Sequence, residues 1–250
     1  MHVLTGIHSV REALRAGRPL DRILLARGRH GQRLEEIVRL ARAQGVPVRF
    51  EDRAQLDRVA GTLQHQGVVA LLAARPTVAL EDLLRRPSPA GLLVLLDGIE
   101  DPHNLGAILR TALAAGADGV VLPERRSAGL TDTVARVSAG ALEHLPVARV
   151  KNLARALETL KQAGYWLIGL DERAAKPYTG VDLTAPVGLV LGNEGRGLHE
   201  LVRERCDFLV SIPTTGPVRS LNVSVAAGIV LFEAVRQRRE RAQQSTDATE

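Results

Sequence analysis

Three stretches of the chain carry the polar residue types that chemistry needs. The first is DGIEDPHNLGAILRTA, Asp97 to Ala112. It follows an apolar run and enters a helical pattern, in which Leu105, Ile108, Leu109, Ala112 and Leu113 form one stripe. Asn104 stands at the expected start of that helix, where asparagine caps well. Arg110 lies off the stripe, on the side of Gly106, and the glycine leaves room over the guanidinium for a bulky ligand. A guanidinium is a rigid fork of N–H donors suited to phosphate. The same residues also read as a plain cap and a surface cation.

The second stretch is LVLGNEGRGL, Leu189 to Leu198. An apolar strand ends in a loop where Gly192, Gly195 and Gly197 surround Glu194. Ligands of open α/β sheets bind at the carboxyl ends of strands, and glycines there let backbone groups approach closely. The spacing G-x-x-G-x-G differs from the dinucleotide fingerprint, and no P-loop lysine follows. The third stretch is IPTTGPVRSLNVSVAA, Ile212 to Ala227, which leads into the last long helical pattern. Ser220 is placed to cap that helix, and Asn222 and Ser224 fall in its first turns beside Ala226, Ala227 and Gly228. Polar groups at such positions need partners.

Other reactive types are less organised. The seven histidines are scattered without paired ligand spacing, so no metal site is expected. His103 beside Asn104 is placed to act as a base, or is incidental. Cys206 adjoins an apolar strand and reads as a core residue. As the single cysteine, it excludes an internal disulfide.

Alternating strands and helices must position these loops. In the front third, strands are expected at Arg22 to Ala26, Val46 to Phe50 and Val68 to Ala73, with helices at Gln32 to Gln44 and Arg53 to Ala60. Residues 1–75 are thus expected as a small α/β domain. Residues 76–91, with Pro76, Pro87, Pro89 and Gly91, read as a linker with one helical turn at Leu80 to Leu84. Residues 92–240 form the larger domain. Its expected strands are Leu92 to Leu96, Gly119 to Leu122, Trp166 to Leu170, Val187 to Leu191 and Phe208 to Ser211, and its helices Asn104 to Ala115, Asn152 to Ala163 and Leu221 to Arg238. Fully apolar strands such as LLVLL suit a mostly parallel sheet covered on both faces. Residues 241–250 read as a flexible tail.

Charge separates the two domains. Residues 1–75 hold 13 Arg against 7 acidic residues, a net of +6, while the remainder nets −1. A basic front domain beside a near-neutral one suggests a polyanion-binding module, or simply a solvated arginine-rich surface. Only six of 250 residues are Phe, Tyr or Trp, so base-stacking platforms are not expected, and RNA contact, if it occurs, should go through phosphates, 2'-hydroxyls and shape. No apolar run reaches the ~20 residues of a membrane helix, and the first twenty residues, with four charged side chains, contain no signal-peptide core. A cytoplasmic protein without a membrane partner is expected.

The three stretches together, N-x-G-x-x-x-R, then L-G-N-E-G-x-G, then I-P…S-L-N-V-S-x-A, resemble the motifs of the SpoU (TrmH-like) RNA ribose 2'-O-methyltransferases over most of Leu92 to Arg238. GIHSVREAL near the start and HQGVVAL at His65 to Leu71 carry a weaker likeness to the front RNA-binding domain of the group that methylates a guanosine in the peptidyl-transferase loop of 23S rRNA. The resemblance implies a knotted C-terminal domain of the SPOUT class, an α/β trefoil knot. It implies S-adenosylmethionine as cofactor, held by backbone groups at Gly192, Ile212 and Leu221. It implies catalytic roles for Arg110, Asn104, Glu194, Ser220 and Asn222, and a homodimer in which Arg110 of one subunit works near the cofactor of the other. Thr214 departs from the family, which often has Met after the I-P pair. RNA, as 23S rRNA or its assembly intermediate, is the expected partner. The alternatives are a tRNA ribose methyltransferase, a resistance enzyme acting on an rRNA adenosine, and a non-catalytic RNA-binding factor of the same fold.

Overall fold

The structure of the protein, a computed structural model, describes residues 3–28, 31–73, 77–85, 91–217 and 220–247. The chain divides into two compact units, Met1–Arg75 and Pro76–Glu250.

The first unit contains β1 (Val3–Thr5), α1 (Ile7–Arg15), β2 (Leu20–Ala26), α2 (Gln32–Ala43), β3 (Val48–Glu51), α3 (Arg53–Ala60) and β4 (Val68–Leu72). Its four strands lie in the order β1-β4-β2-β3. The central strands β2 and β4 are antiparallel, and β3 runs parallel to β2 as an edge. The apolar stripes of α1 and α2 cover one face, burying Val10, Leu14, Ile23, Leu25 and Ile37. Helix α3 covers the other face through Leu56, against Leu24 and Val69. His65, wholly buried, sits at the entry to β4: its Nδ1 accepts from Gly67 N at 3.0 Å, and its Nε2 faces Asp57 Oδ1 at 2.7 Å. Strand β1, three residues long, is too short to show a period, and it and helix α1, whose apolar Ile7, Val10 and Leu14 do recur at helical spacing, are absent from the expected elements.

The second unit contains α4 (Leu80–Leu84), β5 (Leu92–Asp97), α5 (Pro102–Ala114), β6 (Gly119–Pro123), α6 (Asp132–Val137), β7 (Val147–Val150), α7 (Leu153–Gln162), β8 (Trp166–Leu170), β9 (Val187–Gly192), α8 (Glu200–Arg205), β10 (Phe208–Val210) and α9 (Val223–Asp247). Six strands lie in the order β10-β8-β9-β5-β6-β7. Every pairing in this sheet is parallel among the described residues. The run LLVLL follows directly from this architecture. Leu92, Val94 and Leu96 point into a core with α5, α6 and α9. Leu93 and Leu95 point into another with α4 and α7, so no position of the strand meets water.

Three expectations need correction. The segment expected as a linker packs into the second unit in part: Leu80 and Leu83 are buried, and Val78 bridges to Ala148. Its residues 86–90 lie outside the described ones. The tail expected from residue 241 is helical through Asp247, extending α9. Arg236 pairs with Glu240 at 2.6 Å, and Arg241 reaches Thr184 Oγ1; polar side-chain pairs hold this turn where no apolar residue does. Third, β7, α6 and α8 are elements of four to six residues, too short for periodicity to reveal.

Candidate active site

The strand order reverses between β5 and β9, where a parallel sheet opens its ligand crevice. Asp97 and Gly192, the last residues of these strands, are register partners. A cavity of about 390 Å³ opens at the carboxyl ends of β8, β9 and β10, walled by Asp171, Gly192, Glu194, Ile212, Ser220 and Leu221 among others.

The loop after β9 folds back on itself. Asn193 and Gly197 exchange backbone hydrogen bonds at 2.8 and 3.0 Å. A Cβ on Gly192 would lie 2.2 Å from the carbonyl carbon of Gly197, so only glycine permits this return. Gly197 itself has φ +68°, in the left-handed region. The Asn193 amide donates to Gly98 O at 2.8 Å, and its oxygen accepts from Gly195 N at 2.9 Å. That side chain ties the loop after β9 to the loop after β5.

Glu194 joins all three motifs. Its Oε1 accepts from Asn104 Nδ2 at 2.8 Å, from Asn222 Nδ2 at 2.5 Å and from Val223 N at 3.3 Å. Asn222 Nδ2 also donates to Asn104 Oδ1 at 3.0 Å. The carboxylate therefore links the starts of α5 and α9, and the charged acceptor strengthens each bond.

Two helix caps differ from those expected. Helix α5 is capped by Asp101, which accepts from His103 N at 2.8 Å, with Pro102 in the first helical position. Asn104 lies inside the helix, buried, its side chain turned to Glu194. Helix α9 is capped by Asn222, whose Oδ1 accepts from Ser224 N at 2.9 Å and Val225 N at 3.4 Å; Ser220 lines the cavity instead. Gly106 does not leave room for a ligand over Arg110. It is buried against α6, where a Cβ would lie 2.7 Å from Val137 Cβ, and its role is close helix packing. Arg110 is exposed on α5, makes no hydrogen bond or ion pair with a described residue, and is not among the residues lining the cavity.

Asp97, Asn193, Asp171 and Arg173 escaped the motif reading as separate members of the site. Asp97 is buried and accepts from His199 N at 2.7 Å, with His199 Nδ1 at 3.0 Å from its other oxygen. Asp171, on the cavity wall, is bound by Arg173 at 3.2 Å and Arg203 at 2.9 Å. Burial alone would raise its pKa, but the hydrogen bonds and charges of Arg173, with the charge of Arg203, outweigh this and hold it below the usual carboxylate value. For Asp97, Asn193 and Asp171 the available signal was position, each being a polar residue at the end of an apolar strand or directly after it; Arg173, two residues past Asp171, carried none. Cys206 has the opposite character. Burial pushes its thiol up to about 12, and Sγ donates to Val202 O at 3.4 Å, which makes it no nucleophile.

Comparison with known proteins agrees with this geometry. Residues 91–232 match the model of the SpoU rRNA methylase family, and residues 3–78 match an RNA 2'-O ribose methyltransferase substrate-binding domain. A Bacillus subtilis (strain 168) protein assigned to the TrmH family of tRNA/rRNA methyltransferases is 44% identical over 236 residues, covering 93% of this chain and 94% of that one. A Staphylococcus aureus (strain COL) relative of the same family is 43% identical over 241 residues, 95% and 97% of the two chains. Among solved structures, the SpoU methyltransferase AviRb from Streptomyces viridochromogenes with AdoMet matches at TM-score 0.61 and 29% identity, covering 95% of this chain and 90% of that one. The AdoMet-bound rRNA methyltransferase from Sinorhizobium meliloti matches at TM-score 0.63 and 28% identity, over 94% and 86%. The α/β SPOUT class implied by the motifs is thus the class of the second unit, behind a small α/β domain. The chain belongs to the SpoU family of RNA 2'-O ribose methyltransferases, whose methyl donor is S-adenosylmethionine.

Proposed function

We propose that this chain methylates the 2'-hydroxyl of a guanosine in 23S rRNA, working as a homodimer with S-adenosylmethionine in the cavity beside Gly192. The observation that carries this reading is the meeting of Asn104, Glu194 and Asn222 on one carboxylate oxygen at the rim of that cavity. The cavity's size falls in the range of small-molecule sites, roughly 300–1,000 Å³. Gly192, Ile212 and Leu221 line it, and at Gly192 the main chain of Gly197 and Leu198 approaches too closely for a side chain. The guanosine is supported by the likeness of GIHSVREAL and HQGVVAL to the front domain of that enzyme group.

When bound, S-adenosylmethionine supplies an electrophilic methyl group on a sulfonium. The chain's own residues must orient the ribose and manage charge. Glu194, Asn104 and Asn222 hold the loops that shape the pocket, and Ser220 lies where it can touch cofactor or nucleoside. A guanidinium carries donors and no acceptor, so Arg110 is not assigned as the base. It clamps the phosphate next to the target ribose and stabilises negative charge developing on the 2'-oxygen. That phosphate takes the hydroxyl proton.

A dimer is supported by the surface around Arg110. Val225 and Phe232, two turns apart on one side of α9, are each about half exposed, at 51% and 50%. Helix α9 packs on α5 with Gly228 next to Thr111, so this apolar stripe and Arg110 belong to adjoining helices. Such stripes mark interaction surfaces, and a two-fold pair is the commonest assembly.

Mass mapping of 2'-O-methyl groups on rRNA and tRNA from a strain lacking the gene tests the reading. Loss at one 23S guanosine, restored by the intact gene and not by Arg110→Ala, is expected. Loss confined to tRNA or to an rRNA adenosine would replace the substrate, and no loss anywhere would leave the non-catalytic alternative.

A further inference from the structure

A second hollow, of about 320 Å³, lies in the N-terminal unit between α2 and the edge strand β3. Phe50 on β3 is the register partner of Leu25 on β2, so the two side chains leave the sheet on the same face. That face carries the core under α2, with Leu25, Leu34, Val38 and Val48 in one cluster. Leu25 is 2% exposed but Phe50 is 53% exposed, because α2 covers β2 and stops short of the edge. A phenylalanine at a core-facing position is thereby left open as one wall of the hollow. The apolar floor is Leu25, Leu34 and Val38.

The opposite wall carries a net positive charge. Arg39 and Arg42, one turn apart on α2, line the hollow together with one carboxylate, Glu35, and neither arginine is hydrogen-bonded or ion-paired with a described residue. Glu36 on the same helix is taken by Arg15 at 2.7 Å. The edge strand is not open for another strand at this point: Arg27 Nε already donates to Phe50 O at 3.2 Å, and the charged neighbours Arg49 and Glu51 stand on the opposite face of the strand.

An aromatic face, an aliphatic floor and two guanidiniums that outnumber the one carboxylate of Glu35, in a unit of net charge +6, match a flat ring attached to phosphates. We propose that this hollow binds one unstacked base of single-stranded RNA, with Phe50 as the stacking platform and Arg39 and Arg42 on the flanking phosphates. The inference rests on the RNA-methyltransferase reading and adds a base-binding subsite to it. It departs from the expectation drawn from composition, since one aromatic placed beside arginines is enough for one base.

The full chain should be titrated with a 12-nucleotide single-stranded RNA carrying 2-aminopurine at its centre, and with the same RNA abasic there. The wild type is expected to quench the 2-aminopurine. Phe50→Ala should lose the quenching and weaken binding about tenfold, while Phe50→Trp keeps both. The abasic RNA should bind wild type as weakly as Phe50→Ala binds the intact one. Replacing Arg39 and Arg42 by Gln should lower the salt slope of binding by about 1.4 for a single strand. Leu63→Ala, at another exposed apolar side chain (71%), should change nothing. Equal binding by Phe50→Ala, equal binding of the abasic RNA, or no quenching by the wild type would each overturn the subsite. Calorimetric affinity of Phe50→Ala for S-adenosylmethionine, expected to be unchanged, separates that failure from failure of the methyltransferase reading.

Discussion

Asn104 and Glu194, 90 residues apart in the chain, meet through a single hydrogen bond of 2.8 Å. The same carboxylate oxygen receives Asn222 at 2.5 Å and the first backbone N–H of α9. One side chain therefore positions two helix starts around the loop that carries it. Glu194→Ala leaves the buried Asn104 amide without its charged acceptor. An unfolding free energy lower by about 1–3 kcal/mol is expected, with weaker cofactor binding. Glu194→Gln, which still offers an oxygen, should lose less. A cycle with Asn222→Ala should show coupling of about 0.5–3 kcal/mol; additive losses in urea melts would mean the two side chains act independently.

Much of this site is legible in the residues themselves, and the illegible part has physical causes. The apolar strands announced the parallel sheet, and its carboxyl ends announced where the polar loops would gather. Which polar residue caps which helix was not legible. Asn104 and Ser220 both have capping chemistry, but Asp101 caps α5 while Asn104 turns to a partner 90 residues away, and Asn222, directly before α9, caps that helix. Gly106 was misread for a related reason. A glycine beside a candidate arginine looks like room for a ligand, and only packing against Val137 shows that another helix fills it.

The three glycines of the second loop are not equivalent. A Cβ on Gly192 would overlap the Gly197 backbone at 2.2 Å, whereas a Cβ on Gly195 meets nothing closer than Asn193 Oδ1 at 3.7 Å. Gly192→Ala should abolish S-adenosylmethionine binding and lower the melting temperature by several degrees. Gly195→Ala should bind within about threefold of wild type, a difference under ~1 kcal/mol. Calorimetry of both variants checks this, and equal effects would contradict the close return of the loop.

Asp171 links acidity to stability. Its side chain is 5% exposed between Arg173 and Arg203, and its folded pKa lies below the unfolded value. A depressed carboxylate stabilises the fold at pH above its unfolded pKa, and the contribution fades as pH falls through the folded one. Asp171→Asn should therefore cost stability at pH 7 and little at pH 2–3, flattening the acid limb of the melting curve. Parallel melting temperatures for wild type and variant across pH 2–7 would show that the ion pairs contribute nothing.

Arg110 is exposed, unpaired among the described residues, and outside the lining of its own chain's cavity. A group that acts only on the developing charge should matter to turnover and not to ground-state cofactor binding. Arg110→Ala is expected to bind S-adenosylmethionine within about twofold of wild type and to lose about 10²–10³ in kcat. If the partner subunit supplies this arginine, two inactive variants should rescue each other. Mixing Arg110→Ala with Gly192→Ala, after unfolding and refolding together, gives heterodimers with one site that has both an intact arginine and an intact loop. Random pairing makes half of the dimers mixed, so recovery of about one quarter of wild-type activity is expected for a two-fold pair. A mixture as inactive as its components, at dimer concentrations confirmed by light scattering, would place Arg110 and the cofactor loop of each site in the same chain.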